Sequence, residues 1–148
     1  MAGNNYTIRE FHSNVDAWIK AAGDGLLDVV RIACSDIHRD LVMASPVDTG
    51  RFRGNWQITF NRAPIYALNQ YDQDGGKTIQ EGQRVLGLLG AKGVAVTKVY
   101  FSNMLIYANA LEYGHSKQAP AGVLGIVAVR LRSYFANAVK ESRAKHAI

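Results

Sequence analysis

The sequence predicts an α+β fold, a small antiparallel sheet packed by a long N-terminal helix and a C-terminal helix. Three observations lead there. Apolar residues recur at helical spacing through residues 8–44. Two later segments, "NWQITFN" and "GVAVTKVYFSN", have the composition of strands. A second apolar stripe of helical period crosses residues 122–145.

The first helix has two candidate starts. Thr7 with Glu10, and Ser13 with Asp16, both have capping-box spacing, the second with an acid in place of Glu or Gln. Phe11, Val15, Trp18, Ala22, Leu26, Val30, Ala33, Ile37 and Leu41 then mark one face. Gly23 and Gly25 each weaken a helix by about 1 kcal/mol relative to alanine, so a bend or break is allowed there. Pro46 ends the helix, because the residue before a proline avoids the α region.

The stretch "SPVDTGRFRGNW", residues 45–56, turns the chain into the first strand. There Trp56, Ile58 and Phe60 alternate with Gln57 and Thr59, a half-buried pattern. Residues 62–68 could supply another short strand. Residues 69–84 read as a long polar loop, followed by a short helical piece carrying Ile79, Leu86 and Leu89. Loops of that length in a compact domain are usually functional or disordered. Residues 93–103 read as the second strand, and 105–114 as a helical turn or two stopped by Gly114. Leu124, Val127, Leu131, Phe135 and Val139 stripe the last helix, with Arg130, Arg132 and Lys140 off that stripe. Two strands alone do not make a stable sheet, so helix cover, a third strand or a neighbouring subunit must complete it.

The 148 residues fit one domain, 1–148, with enough chain to bury a core. No stretch approaches the roughly 18 to 20 apolar residues that cross a bilayer, so no membrane partner is expected. The N-terminus has no basic start followed by an apolar run, so no secretory signal is expected. The single cysteine, Cys34, rules out an internal disulfide and fits a reducing compartment. The net charge of +5 is uneven. Residues 1–44 hold four basic and six acidic residues, a net of −2; residues 45–114 carry +2; residues 115–148 hold six basic and one acidic, a net of +5. Such asymmetry suits nucleic acid, a charged protein partner, or simply a solvated helix face.

The glycines do not make a phosphate loop. Gly50 and Gly54 lack Walker spacing, no lysine follows, and the turn runs from helix to strand instead of strand to helix. "GLLGAKG" holds no G-x-G-x-x-G. Zinc needs clustered ligands, and Cys34 and His38 sit one turn apart with His12, His115 and His146 scattered, so no metal or cofactor is expected. A Cys34–His38 nucleophile pair lacks an orienting residue and an oxyanion hole, Ser116 lacks an elbow motif, and Asp36 and Asp40 read as a solvated face. No enzyme is expected. The basic C-terminal helix alone argues for DNA, through non-specific phosphate contacts. Tyr100, Phe101, Tyr107 and Tyr113 do not form an RNP motif.

Three blocks together carry a resemblance. Pro46, Val47, Asp48, Thr49, Gly50, Phe52 and Arg53 form the first; Tyr107, Ala108, Glu112, Tyr113 and Gly114 the second; Pro120, before the final helix, the third. In this order, over about residues 10 to 140, they resemble the tail-component family of long-tailed bacteriophages, the minor tail or tail-completion proteins typified by a neck protein of phage HK97. One departure is "GHSKQAP", where many relatives have Gly-Thr and then a Pro-Phe pair.

The resemblance implies a structural protein of the virion, assembled in the host bacterial cytoplasm as a ring, a hexamer, at the head–tail junction. It would contact an adaptor or stopper protein of the head connector on one side and a tail terminator or tail tube protein on the other. DNA would pass through the lumen without sequence readout. The nearest alternative is a tail terminator capping the tube; from another class, a basic DNA-binding accessory protein. Interfaces favour aromatic residues and arginine. Asp48, Arg51, Arg53, Trp56, Tyr107, Glu112 and Tyr113 are therefore the candidate interface residues, and Pro46, Thr49, Gly50 and Gly114 the structural turn. Glu112 is expected to pair with an arginine, Arg51 or Arg53, within or between subunits. The 69–84 loop is the candidate for docking a neck partner.

Overall fold

A computed structural model describes residues 24–91, 93, 95–112, 118 and 122–146. In chain order these form α1 (Asp24–Ala44), a 3-10 turn (Arg53–Asn55), β1 (Trp56–Phe60), α2 (Gly76–Leu86), β2 (Val99–Asn103), α3 (Ala108–Glu112), α4 (Leu124–Ala128) and α5 (Leu131–His146). The fold is α+β, with helices packed on a two-stranded antiparallel sheet. Among the described residues, no helix is long and apolar enough to cross a membrane.

The α1 stripe is the centre of the core. Val30, Ala33, Cys34, Ile37, Leu41 and Val42 are all buried. Each large apolar side chain removed from water contributes about 1.5–3 kcal/mol. The expected 8–23 part of this helix lies outside the described residues. Helix α5 lies against α1 through Tyr134, Ala138 and Ser142, spaced one turn apart and buried. The Tyr134 hydroxyl donates to Asp40 Oδ2 at 2.6 Å, and Lys145 pairs with Asp28 at 3.5 Å.

The strands pair Trp56 with Asn103, Ile58 with Phe101 and Phe60 with Val99. Trp56, Ile58, Val99 and Phe101 turn inward, so the alternation read in β1 is the buried face. At the far end Asn61, with φ 67°, closes the pair. Its amide donates to Lys98 O at 2.9 Å; its side chain donates to Ala95 O at 2.8 Å and accepts from Thr97 N at 2.7 Å. That side chain takes the polar groups a longer ladder would have used, and β2 is correspondingly shorter than the expected 93–103.

Three further expectations change. The 69–84 loop is not a loop throughout, because α2 begins inside it at Gly76. Its buried residues are Thr78, Gly82 and Leu86, one turn apart, so beside Leu86 the helix docks through a polar and a small residue that an apolar periodicity does not register. Residues 62–68 form no strand; the carbonyls of Arg62 and Tyr66 and the amide of Leu68 bond to side chains of Thr59, Gln57 and Asn55. The last helix is two, divided at Val129 and Arg130 although neither is a helix breaker. Arg130 N reaches Val127 O in a tightened turn, which lets α4 start on Glu112 while α5 follows α1.

Candidate functional site

The turn after α1 is a corner built almost entirely from internal bonds. Ser45 Oγ donates to Leu41 O at 2.6 Å and accepts from the Trp56 indole at 2.7 Å. Arg53 reaches three carbonyls: Gln73 at 2.7 Å, Met43 at 3.0 Å and Ser45 at 3.2 Å. Between them, Ser45 and Arg53 satisfy carbonyls that the last turn of a helix leaves without partners. Pro46 is buried just past the helix end, as the sequence suggests.

Gly50 has φ 86°, and a Cβ there would lie 2.6 Å from the Asp72 carbonyl carbon and the Gln73 nitrogen. Its own carbonyl accepts from Gly54 N at 2.8 Å and Asp72 N at 3.0 Å. Only glycine allows both the left-handed backbone and that approach. Thr49 Oγ1 accepts from Arg51 N at 3.3 Å, the expected bond back to the turn. The exposed Asp48 side chain makes no such bond among the described residues.

Two buried polar residues that the sequence reading passed over complete the corner. Asn55, 0% exposed, donates to Arg51 O at 2.6 Å and accepts from Leu68 N at 2.6 Å. Asp72 accepts from Gly75 N at 3.1 Å, Thr78 N at 2.8 Å and Thr78 Oγ1 at 2.7 Å. Burial pushes its carboxyl up, but the bonds donated by Thr78 and Gly75 outweigh that and hold it below the ordinary carboxylate range. A signal was present: an aspartate just ahead of paired glycines and a threonine is the chemistry of a helix start.

The second block and Gln118 come to the same corner. Tyr107 packs on Phe52 with ring centroids 6.4 Å apart, and Phe52 meets Trp56 edge-on at 5.8 Å. Asn103 Nδ2 donates to Phe52 O at 2.9 Å. Gln118 grips Val47 twice: its Oε1 accepts from the Val47 amide at 2.8 Å, and its Nε2 donates to the Val47 carbonyl at 2.8 Å. Glu112 pairs with neither Arg51 nor Arg53. Its carboxylate instead accepts from the amides of Val123 at 2.9 Å, Leu124 at 2.6 Å and Gly125 at 2.9 Å, and so caps α4.

The candidate interface residues therefore divide. Trp56 is 6% exposed and belongs to the core. Arg53 is an internal clamp and Glu112 an internal cap. Asp48 and Tyr107 remain exposed, and Arg51 is half-buried with its Nε in contact with no partner among the described residues. Tyr113 and Gly114 lie outside the described residues. Beyond Tyr107, exposed apolar residues near this corner include Met43, Met104 and Ile106, the last 99% exposed. Ile65, Tyr66 and Tyr71 are exposed on the β1–α2 connection.

Cys34 and His38 are both buried. The His38 Nε2 lies 3.0 Å from Thr78 O, and since a carbonyl only accepts, the proton sits on Nε2. Burial lowers its pKa, partly opposed by that bond. Burial pushes the Cys34 thiol up to about 12, so it stays protonated at neutral pH. Among the described residues, no group of three or more His, Cys, Asp or Glu could hold a metal. No protein-family model, curated protein or solved structure matches the chain.

Proposed function

We propose that the chain is a structural protein of a tailed-phage virion, a tail-completion protein that forms a ring in the neck. The observation carrying this reading is that two separated blocks meet at one corner, Phe52 of the first packing on Tyr107 of the second. These are the stretches on which the resemblance rests, and their residues are used for geometry, with no assembled catalytic set among them. The corner holds Met104, Ile106 and Tyr107 outward, a surface suited to a protein neighbour. Its partners are other copies of the chain, an adaptor or stopper on the head side, and a terminator or tube protein on the tail side.

Electron microscopy of particles made without this gene tests the reading. Separate full heads and finished tails are expected. Tails of abnormal length would assign the chain to the terminator role instead. Intact, infectious particles would overturn both.

A further inference from the structure

Helix α5 turns one face away from α1 and the core. Its inner side is held on α1 by Tyr134, Ala138 and Ser142. Its outer side carries Arg132, Lys140 and Arg143, all exposed. At about 100° per residue these three fall within an arc of roughly 80°. Ala136 lies inside that arc, and Ser133, Asn137 and Ala144 beside it, all exposed and short. The one acid of the helix, Glu141, points about 180° from Arg132. Arg132 to Arg143 spans about 16 Å of helix, roughly five steps of a duplex strand at about 3.4 Å each.

We infer that this face binds the phosphate backbone of duplex DNA without reading sequence. The surrounding chemistry selects that ligand. A membrane-surface helix needs large apolar residues on its exposed side, and here the large ones face α1. Single-stranded nucleic acid needs aromatic platforms, and this face has none. A protein partner needs a desolvated anchor among its contacts, whereas the residues between these cations are small. Short side chains between the cations and along one flank, with half-buried Val139 and Phe135 on the other, let a rigid helix approach a phosphate row closely.

The inference does not depend on the neck reading, since a duplex-binding face could serve any DNA-handling protein. Its test is fluorescence anisotropy with two labelled duplexes of unrelated sequence, titrated from about 50 to 200 mM NaCl. Three phosphate contacts give a log–log slope of about −2.7, a fall of about fortyfold in affinity over that range. Lys140→Gln with Arg143→Gln removes about 1.8 from the slope, leaving a three- to fourfold fall. Both sequences should behave alike, and Lys77→Gln, at an exposed lysine on α2, should leave the slope unchanged. Both altered residues are exposed, so circular dichroism melts should coincide with the parent. No binding at the lowest salt, a slope unchanged in the double variant, or tighter binding to phosphatidylserine vesicles than to duplex would overturn the inference. Loss of the slope with normal particle assembly would separate it from the neck reading.

Discussion

Replacing Gly50 by alanine tests whether the corner is set by close backbone approach. The substitution meets two costs. A non-glycine residue at φ 86° is strained by about 1–2 kcal/mol. The new Cβ would also sit 2.6 Å from the Asp72 carbonyl carbon and the Gln73 nitrogen, and 2.8 Å from the Asp72 nitrogen. Those are main-chain atoms, so no rotamer change relieves the overlap, and the 72–73 chain must move. Moving it breaks the Asp72 N–Gly50 O bond, worth about 1 kcal/mol, and shifts the carboxylate that starts α2. These two figures total about 2–3 kcal/mol before any displacement of α2, or roughly 4–12 °C in melting temperature for a chain of this size. Two other glycines calibrate the result. Gly93 has φ 82° with nothing within 4 Å, so Gly93→Ala should cost only the conformational part, about 1–2 kcal/mol. Gly25, in α1 with nothing within 4 Å, should give a gain of about 0.5–1 kcal/mol as alanine. Urea unfolding followed by circular dichroism ranks the three. If Gly50→Ala fell within about 0.5 kcal/mol of Gly93→Ala, the 72–73 chain would be free to move aside, and close approach would not hold the corner.

Glu112→Ala should lower stability by about 1–2 kcal/mol through loss of the α4 cap, read from melting curves; an unchanged melt would mean that water replaces the carboxylate. The lowered pKa of Asp72 places its contribution fully above an unfolded value of about 3.9, to be lost as pH falls through the lower folded value. Asp72→Asn should therefore be less stable near neutrality and flatter on the acid limb, and parallel stability–pH curves would contradict this. His38 is also lowered, chiefly by burial, so its neutral form favours folding above about pH 6.5 and stability erodes as pH falls further. His38→Gln, which keeps a donor and cannot titrate, should remove the slope between about pH 7 and 5, and its persistence would assign the slope elsewhere. Ile106→Asp, at a fully exposed position, should change stability by less than about 0.5 kcal/mol yet abolish complementation of the gene-deleted phage; full plaque yield would remove Ile106 from the interface.

The parts of this fold written as apolar periodicity were legible in the sequence. The α1 stripe and the β1 alternation were read directly, because burial there is simple removal of hydrocarbon from water. What stayed hidden was held by polar pairs distant in sequence. Helix α2 depends on Asp72 and on the fit of Gly82 against His38, where a Cβ would come within 2.3 Å of the imidazole. Neither leaves an apolar pattern. The split between α4 and α5 carries no proline or glycine; it follows from where Glu112 and Tyr134 hold the two pieces. At the candidate site, residue type suggested the wrong use. Arginine and tryptophan are common in interfaces, but they are also the long donors that can reach across a corner, and only geometry separates the two.

That distinction moves the expected contact surface. Arg53 and Glu112 already bond main-chain groups of their own chain, so turning either toward a neighbour would strip partners from partly buried groups such as Ser45 O and Leu124 N, at about 1 kcal/mol each. Such residues make poor interface determinants. The end of β2, running into residues 104–107, has the opposite character. Asn61 N bonds Lys98 O, which makes the Thr59–Tyr100 and Gln57–Ser102 pairs the hydrogen-bonded ones and points the Phe101 amide away from β1. That margin is covered along Val99 and Phe101, 0% and 8% exposed, and opens only beyond Asn103. The β1 margin differs, because Gln57, Thr59 and Asn55 draw the 62–70 chain alongside it. The β2 edge instead runs directly into Met104, Ile106 and Tyr107. A head-to-tail ring needs two unlike surfaces on each copy, and these two margins of one small sheet are unlike. On the neck reading, contact between copies therefore belongs at the end of β2 and residues 104–107, with the arginines behind it keeping the corner in shape.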